Sequence, residues 1–161
     1  MSDGTTTRST AFAVLIDVEM TPFESFLAAY FTPEELDEGI LSNPIGDPDN
    51  DQMVTLLEYA LGTNPREFTH PDEAIQITRE SRPEGEFIII RYRSRADDPS
   101  VGPIPWIALE SMSFTSSKNN PLYEESNLGG DNPLYDNIEG IINTEGEADA
   151  HFIRLQVELV E

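Results

Sequence analysis

Residues 46–58 read GDPDNDQMVTLLE: Asp47, Asp49 and Asp51 at alternate positions, then an apolar run that carries Glu58 seven residues after the last of them. The chain changes its grammar across this stretch. Before it, apolar residues recur at helical spacing; after it, they alternate with polar ones. Upstream, Thr21-Pro22-Phe23-Glu24 supplies an N-cap threonine, a proline at the first helical position and a glutamate at the third, which predicts a helix with Phe23, Phe26, Leu27 and Tyr30 along one face. Thr32-Pro33-Glu34-Glu35 repeats that punctuation and predicts a second short helix ending near Gly39. Residues 53–61 predict a third, closed by Gly62, with Asn64-Pro65 preventing continuation. Downstream, strands are predicted at 74–78, 87–95, 104–114, 137–142 and 152–160, with a further one near the start at 11–18. The segment 116–137 reads as a long polar loop. The expected class is α+β, with short N-terminal helices and one loop-helix unit packed on a small antiparallel β-sandwich. Residues 1–65 form the helical unit, and residues 66–161 the β domain.

The chain has 161 residues, enough for one ordinary domain or a small domain with a helical appendage. Thirty-one acids against nine bases give a net charge of −22, which repels phosphate backbones and anionic lipid surfaces and attracts divalent cations. Nucleic acid is therefore not an expected partner, and no segment is apolar for long enough to insert in a membrane. The apolar run at 11–16 is too short and too soon acidic for a signal peptide. The absence of cysteine excludes disulfides and thiolate chemistry.

Counted from Asp47, the aspartates occupy positions 1, 3 and 5, Met53 offers its carbonyl at 7, Thr55 stands at 9 and Glu58 at 12. This is the ligand spacing of an EF-hand calcium loop, in which hard oxygens wrap the ion and a glutamate on the exit helix closes the cage. Asp47, Asp49, Asp51, Met53, Thr55 and Glu58 are thus the candidate ligands of a structural Ca2+. Gln52 occupies position 6, where the loop needs glycine for its sharp turn, so weakened binding is expected. Magnesium, with its strict octahedron and retained waters, fits less well. The same residues also read as a solvated acidic turn, with Asp51 near a helix N-terminus where the macrodipole favours it.

The run DPDNDQMVTLLEYALGTNP, at 47–65, resembles a module near the C-terminus of large secreted bacterial proteins. There a D-x-D-x-D-G segment followed by L-L-E-Y-A-L-G joins a small β domain, in the manner of dockerin and thrombospondin type 3 calcium loops. The likeness extends upstream through FESFLAAYFTPEELDEGILSNPIG and downstream to FIIIRYRSRADDP and HFIRLQVELV. It implies the same calcium ligands, an extracellular or cell-surface location and a noncatalytic accessory role: attachment, spacing or contact with carbohydrate or with the rest of a larger parent protein.

Two further readings come from other residues. NPLY occurs at 120–123 and again at 132–135, a turn motif read by phosphotyrosine-binding-type domains but also an ordinary turn before a strand. Arg91, Arg93 and Arg95 alternate on one predicted strand, placed to hold an anionic sugar or to pair with the chain's own acids. A carboxylate-based hydrolase is the third possibility, but with this acid content no particular pair stands out, and His70 and His151 belong to no hydrolytic motif.

Overall fold

The computed structural model describes residues 20–39, 42–98, 101, 103–109, 115–116, 122–144 and 151–157; the strand expected at 11–18 lies outside them. Two short helices open the described chain, α1 (Pro22–Tyr30) and α2 (Pro33–Glu38). Each starts on a complete capping box. The Glu24 amide donates to Thr21 Oγ1 at 3.2 Å while the Thr21 amide donates to the Glu24 carboxylate at 2.8 Å, and Thr32 and Glu35 repeat the exchange. Gly39 ends α2 in the left-handed region.

After the acidic loop comes α3 (Thr55–Leu61), then α4 (Pro71–Ala74) and the strands β1 (Ile75–Arg82), β2 (Gly85–Arg95), β3 (Pro103–Leu109), β4 (Thr115–Ser116), β5 (Tyr123–Asn127), β6 (Tyr135–Asn143) and β7 (His151–Val157). The strands form two antiparallel sheets, one ordered β1-β2-β6-β5 and the other β4-β3-β7. The class is α+β. One expectation is corrected: β5 lies inside the segment read as a polar loop. Its sequence YEESN carries almost no apolar signal, and it holds as an edge strand through pairing with β6.

Helix α3 is the hub of the core. Leu56, Tyr59 and Ala60 are buried with Phe26 of α1, against which Phe23, Leu27 and Tyr30 also pack, so the predicted apolar stripe of α1 meets α3 as a unit. The rings of Phe23 and Phe26 lie 5.0 and 5.2 Å from that of Tyr59, edge-on. Leu61 and the preceding Met53 turn to the four-stranded sheet, where they pack on Ile90, Tyr92 and Ile138; Leu155 of β7 joins the same cluster. Gly62 ends α3 at φ 74, and a Cβ there would lie 2.6 Å from the ring of Tyr135. Only glycine lets helix and ring approach so closely. Among the described residues no helix is long and apolar enough to cross a membrane.

Candidate metal centre

The acidic loop is tied shut at its ends before any ligand is considered. The Gly46 carbonyl accepts from both the Thr55 amide, at 2.8 Å, and the Thr55 hydroxyl, at 3.2 Å, and the Pro44 carbonyl accepts from the Leu56 amide at 2.9 Å. Within the loop, Asp47 organises the turn. Its two oxygens accept from the Asp51 and Gln52 amides at 3.1 and 3.0 Å, bending the chain around its own first carboxylate. That curvature places Asn50 at φ 63 and Gln52 at φ 76. Asparagine enters the left-handed region readily, whereas glutamine there is strained, so the turn that favours glycine at position 52 is made without it.

Asp51 is fully buried and has both oxygens occupied: one accepts from the Met53 amide at 2.7 Å, the other from the Thr69 amide at 3.1 Å. Asp49 differs. Both of its oxygens are shielded from solvent and neither accepts a hydrogen bond of normal geometry, since the nearby Asp51 amide donates to Asp47; burial first, then the Asp51 charge, push its carboxyl above the usual range against a smaller opposing pull from that amide. Glu58, delivered by α3, is fully buried as well; Oε1 accepts from the Thr63 hydroxyl at 3.3 Å and Oε2 has no partner. Burial first, then the charges of Asp49 and Asp51, raise its carboxyl to about 8.

Asp47, Asp49 and Asp51 each offer an oxygen within 4.8 Å of the others, and this cluster could hold a metal ion. Glu58 is not part of that close group, although its ionisation is coupled to all three aspartates. The backbone amide of Met53 is committed to Asp51, and the hydroxyl of Thr55 donates to Gly46. Two supporting residues were not foreseen. Thr63 follows the helix-capping glycine and reaches back to Glu58, while Thr69 reaches Asp51 from eighteen residues further along the chain, a distance at which the sequence carries no signal.

The fit to a cation follows from the donor set. Three buried oxygens, two on Asp49 and one on Glu58, lack any donor, and an unpaired buried carboxylate is costly unless it is protonated or meets a positive charge. All the converging atoms are hard oxygens, which suit alkaline-earth ions and not the soft or borderline transition metals.

Elsewhere, both NPLY tyrosines serve the interior. Tyr135 is 8% exposed, donates to the Tyr59 carbonyl at 3.3 Å and accepts from Arg95 at 2.9 Å. Tyr123 donates to Glu125 at 2.7 Å and packs against the core cluster. Asn120 and Pro121 of the first motif lie outside the described residues. The alternating arginines divide: Arg91 pairs with Glu139 at 2.6 Å, Arg95 pairs with Asp97 at 2.7 Å and stacks 4.1 Å over the Tyr59 ring, and Arg93 donates to the Gly62 carbonyl at 3.0 Å and lies 5.6 Å over the Tyr135 ring. Comparison with family models, curated proteins and solved structures finds no match to this chain.

Proposed function

We propose that the chain is a noncatalytic accessory module built around a structural Ca2+, held in an EF-hand-like loop by Asp47, Asp49, Asp51, the Met53 carbonyl, Thr55 and Glu58. The observation that carries this reading is the set of three buried, donorless oxygens on Asp49 and Glu58. Coordination chemistry favours calcium over magnesium: calcium accepts six to eight oxygens in flexible geometry, whereas magnesium demands a near-ideal octahedron and keeps its waters. Small side-chain adjustments of Glu58 would complete the cage, because Oε2 is uncommitted.

The strain at Gln52 supports a weak site, of the kind that fills at the roughly millimolar calcium found outside cells. This agrees with an exported or cell-surface setting and with the resemblance of the 47–65 run to calcium loops of secreted bacterial proteins. The ion would fix α3, and with it the α1 contact, against a β domain read as a small sandwich, a reading supported by the cluster of Leu155 with Ile90 and Tyr92. The noncatalytic reading is favoured because the described carboxyls with raised proton affinity, Asp49 and Glu58, both belong to this loop. The inward placement of Tyr135 weighs against presentation of its NPLY turn to an adaptor domain.

Thermal unfolding of the chelator-stripped protein tests the proposal. Calcium at a hundredfold over its dissociation constant should add about 2.7 kcal/mol of stability, with magnesium at the same concentration adding much less. An unchanged midpoint in calcium would remove it.

A further inference from the structure

A cleft of about 550 Å3 is lined by apolar side chains of α1 and its approach, Met20 and Ala29 among them, by Leu134 at the turn into β6, and by Arg93 and Arg95 of β2. Met20 and Leu134 are 51% and 42% exposed, apolar surface that the described chain leaves uncovered. The two arginines differ. Arg95 is closed off by its ion pair with Asp97 and by the Tyr135 hydroxyl. Arg93 is exposed, and its printed contacts, the Gly62 carbonyl and the Tyr135 ring, are themselves walls of this cleft, so the guanidinium is held where it lines the opening. In a chain of net charge −22, Arg66, Arg82, Arg91 and Arg95 all meet a carboxylate, whereas Arg93 meets none within ion-pair distance among the described residues. Asn132, also in the lining, accepts from the Leu134 amide through its oxygen, which leaves its NH2 group to donate. Uncovered apolar surface beside a guanidinium fork fits an apolar segment that carries a carboxylate.

Such a segment is joined to the cleft covalently. Residues 11–19 read AFAVLIDVE and lead straight into Met20, which is one of the walls. With side chains alternating along an extended chain, Leu15, Asp17 and Glu19 share one side, an apolar group followed by carboxylates. Asp17 stands three residues before Met20, about 10 Å of extended chain, a reach on the scale of the cleft. The tether matters to the energetics. An exposed ion pair and a few apolar contacts hold a free peptide poorly, but a segment attached beside its site acts at an effective concentration of roughly millimolar, where weak contacts suffice. We infer that residues 11–19 seat in this cleft as a strap from α1 to the turn into β6, with Asp17 pairing with Arg93 and Leu15 and its apolar neighbours covering Met20 and Leu134. This goes beyond the calcium reading and does not depend on it, since no residue of the 46–58 loop lines the cleft.

The test is limited digestion of the full chain with proteinase K, read by mass spectrometry as the rate of cuts within residues 11–19, with cuts beyond residue 20 as the measure of general unfolding. In the parent, the segment should be cut at least tenfold more slowly than the free peptide of residues 11–19. Arg93→Gln, which alters the cleft, and Asp17→Asn, which alters only the segment, should each speed those cuts at least threefold while cuts beyond residue 20 keep the parent's rate. The charge-swapped pair Arg93→Asp, Asp17→Arg should restore the slow rate. Cutting of the parent at the free-peptide rate, protection retained in Arg93→Gln or in Asp17→Asn, or a charge swap that restores nothing while the rest of the chain stays resistant would overturn the inference. Protection that rises with protein concentration would overturn it as well, by assigning the cleft to the same segment of a second copy.

Discussion

Glu24 and Glu35 at the helix starts, and Asp49 and Glu58 in the loop, are carboxylates in one very acidic chain with opposite fates. Glu24 is exposed and Glu35 half-buried, and backbone amides of Thr21 and Thr32 hold both carboxyls below their ordinary range, with Arg66 adding to the effect at Glu35. The second pair is shielded, lacks donors, and has its carboxyls pushed up. Acid content alone therefore locates nothing. What singles out the loop is oxygen without a donor, because a carboxylate already satisfied by N–H groups has no need of a cation.

The strongest way to break this contrast is to neutralise the donorless pair. In Asp49→Asn, Glu58→Gln, the calcium-dependent gain of about 2.7 kcal/mol should vanish, measured as the difference in denaturant midpoints with and without the ion. The same variant in chelator should be no less stable than the parent, because it removes both the cost of burying the Asp49 carboxyl and the need to hold a proton on Glu58. A calcium response that survives both changes would place the ion elsewhere.

The capping boxes supply the control of intermediate size. Thr21→Ala or Thr32→Ala should cost about 1 kcal/mol, equally with and without calcium, by chemical unfolding. A calcium-dependent cost would mean that helix starts and loop are one coupled unit, erasing the distinction.

The pH dependence sharpens it further. In the calcium-free protein the folded chain keeps a proton on Glu58 up to about 8, whereas the unfolded chain releases it near 4.5. The folded state thus binds more protons between those values, and this contribution to stability falls as pH rises through the window. Glu24 and Glu35, with lowered folded values, act in the opposite sense: their contribution is present above the unfolded carboxylate range and is lost as pH falls. Unfolding free energies from pH 4.5 to 8.5 in chelator should fall less steeply in Glu58→Gln than in the parent; matching slopes would show that Glu58 is not protonated in the fold.

The smallest effect is at Gln52. Replacing it by glycine removes about 1–2 kcal/mol of left-handed strain and adds about 0.4–1 kcal/mol of unfolded-chain entropy, for a net gain of about 0.5 kcal/mol. Differential melting should find a slightly higher midpoint, and a lower one would mean that the Gln52 side chain contributes contacts of its own.

Much of the helical part was legible because its signals are local. Thr21 with Glu24 and Thr32 with Glu35 both close the boxes their spacing implies, and Gly39 and Gly62 both adopt the left-handed cap. Strand β6 begins two residues before the predicted start and β1 runs four residues beyond its predicted end, the usual blurring where pairing sets the boundary. Strand β5 was hidden because an exposed edge strand needs no apolar alternation, only a partner. At the loop, the alternation of Asp47, Asp49 and Asp51 was visible, but the difference between them was not. Asp51 is satisfied by Thr69, far along the chain, while Asp49 is left without a donor, and such an assignment exists only once the chain has folded. The arginines teach the same lesson: their alternation on β2 is a local fact, whereas which of them finds an acid is a tertiary one.

Calorimetric titration of the chelator-stripped chain with calcium near pH 7, repeated in buffers of different ionisation enthalpy, reaches the central claim most directly. The predicted result is one saturable site per chain, with proton release as Glu58 gives up its hydrogen to the ion. Heat no greater than dilution, or binding with no proton release and no dependence on Asp49 and Glu58, would contradict it.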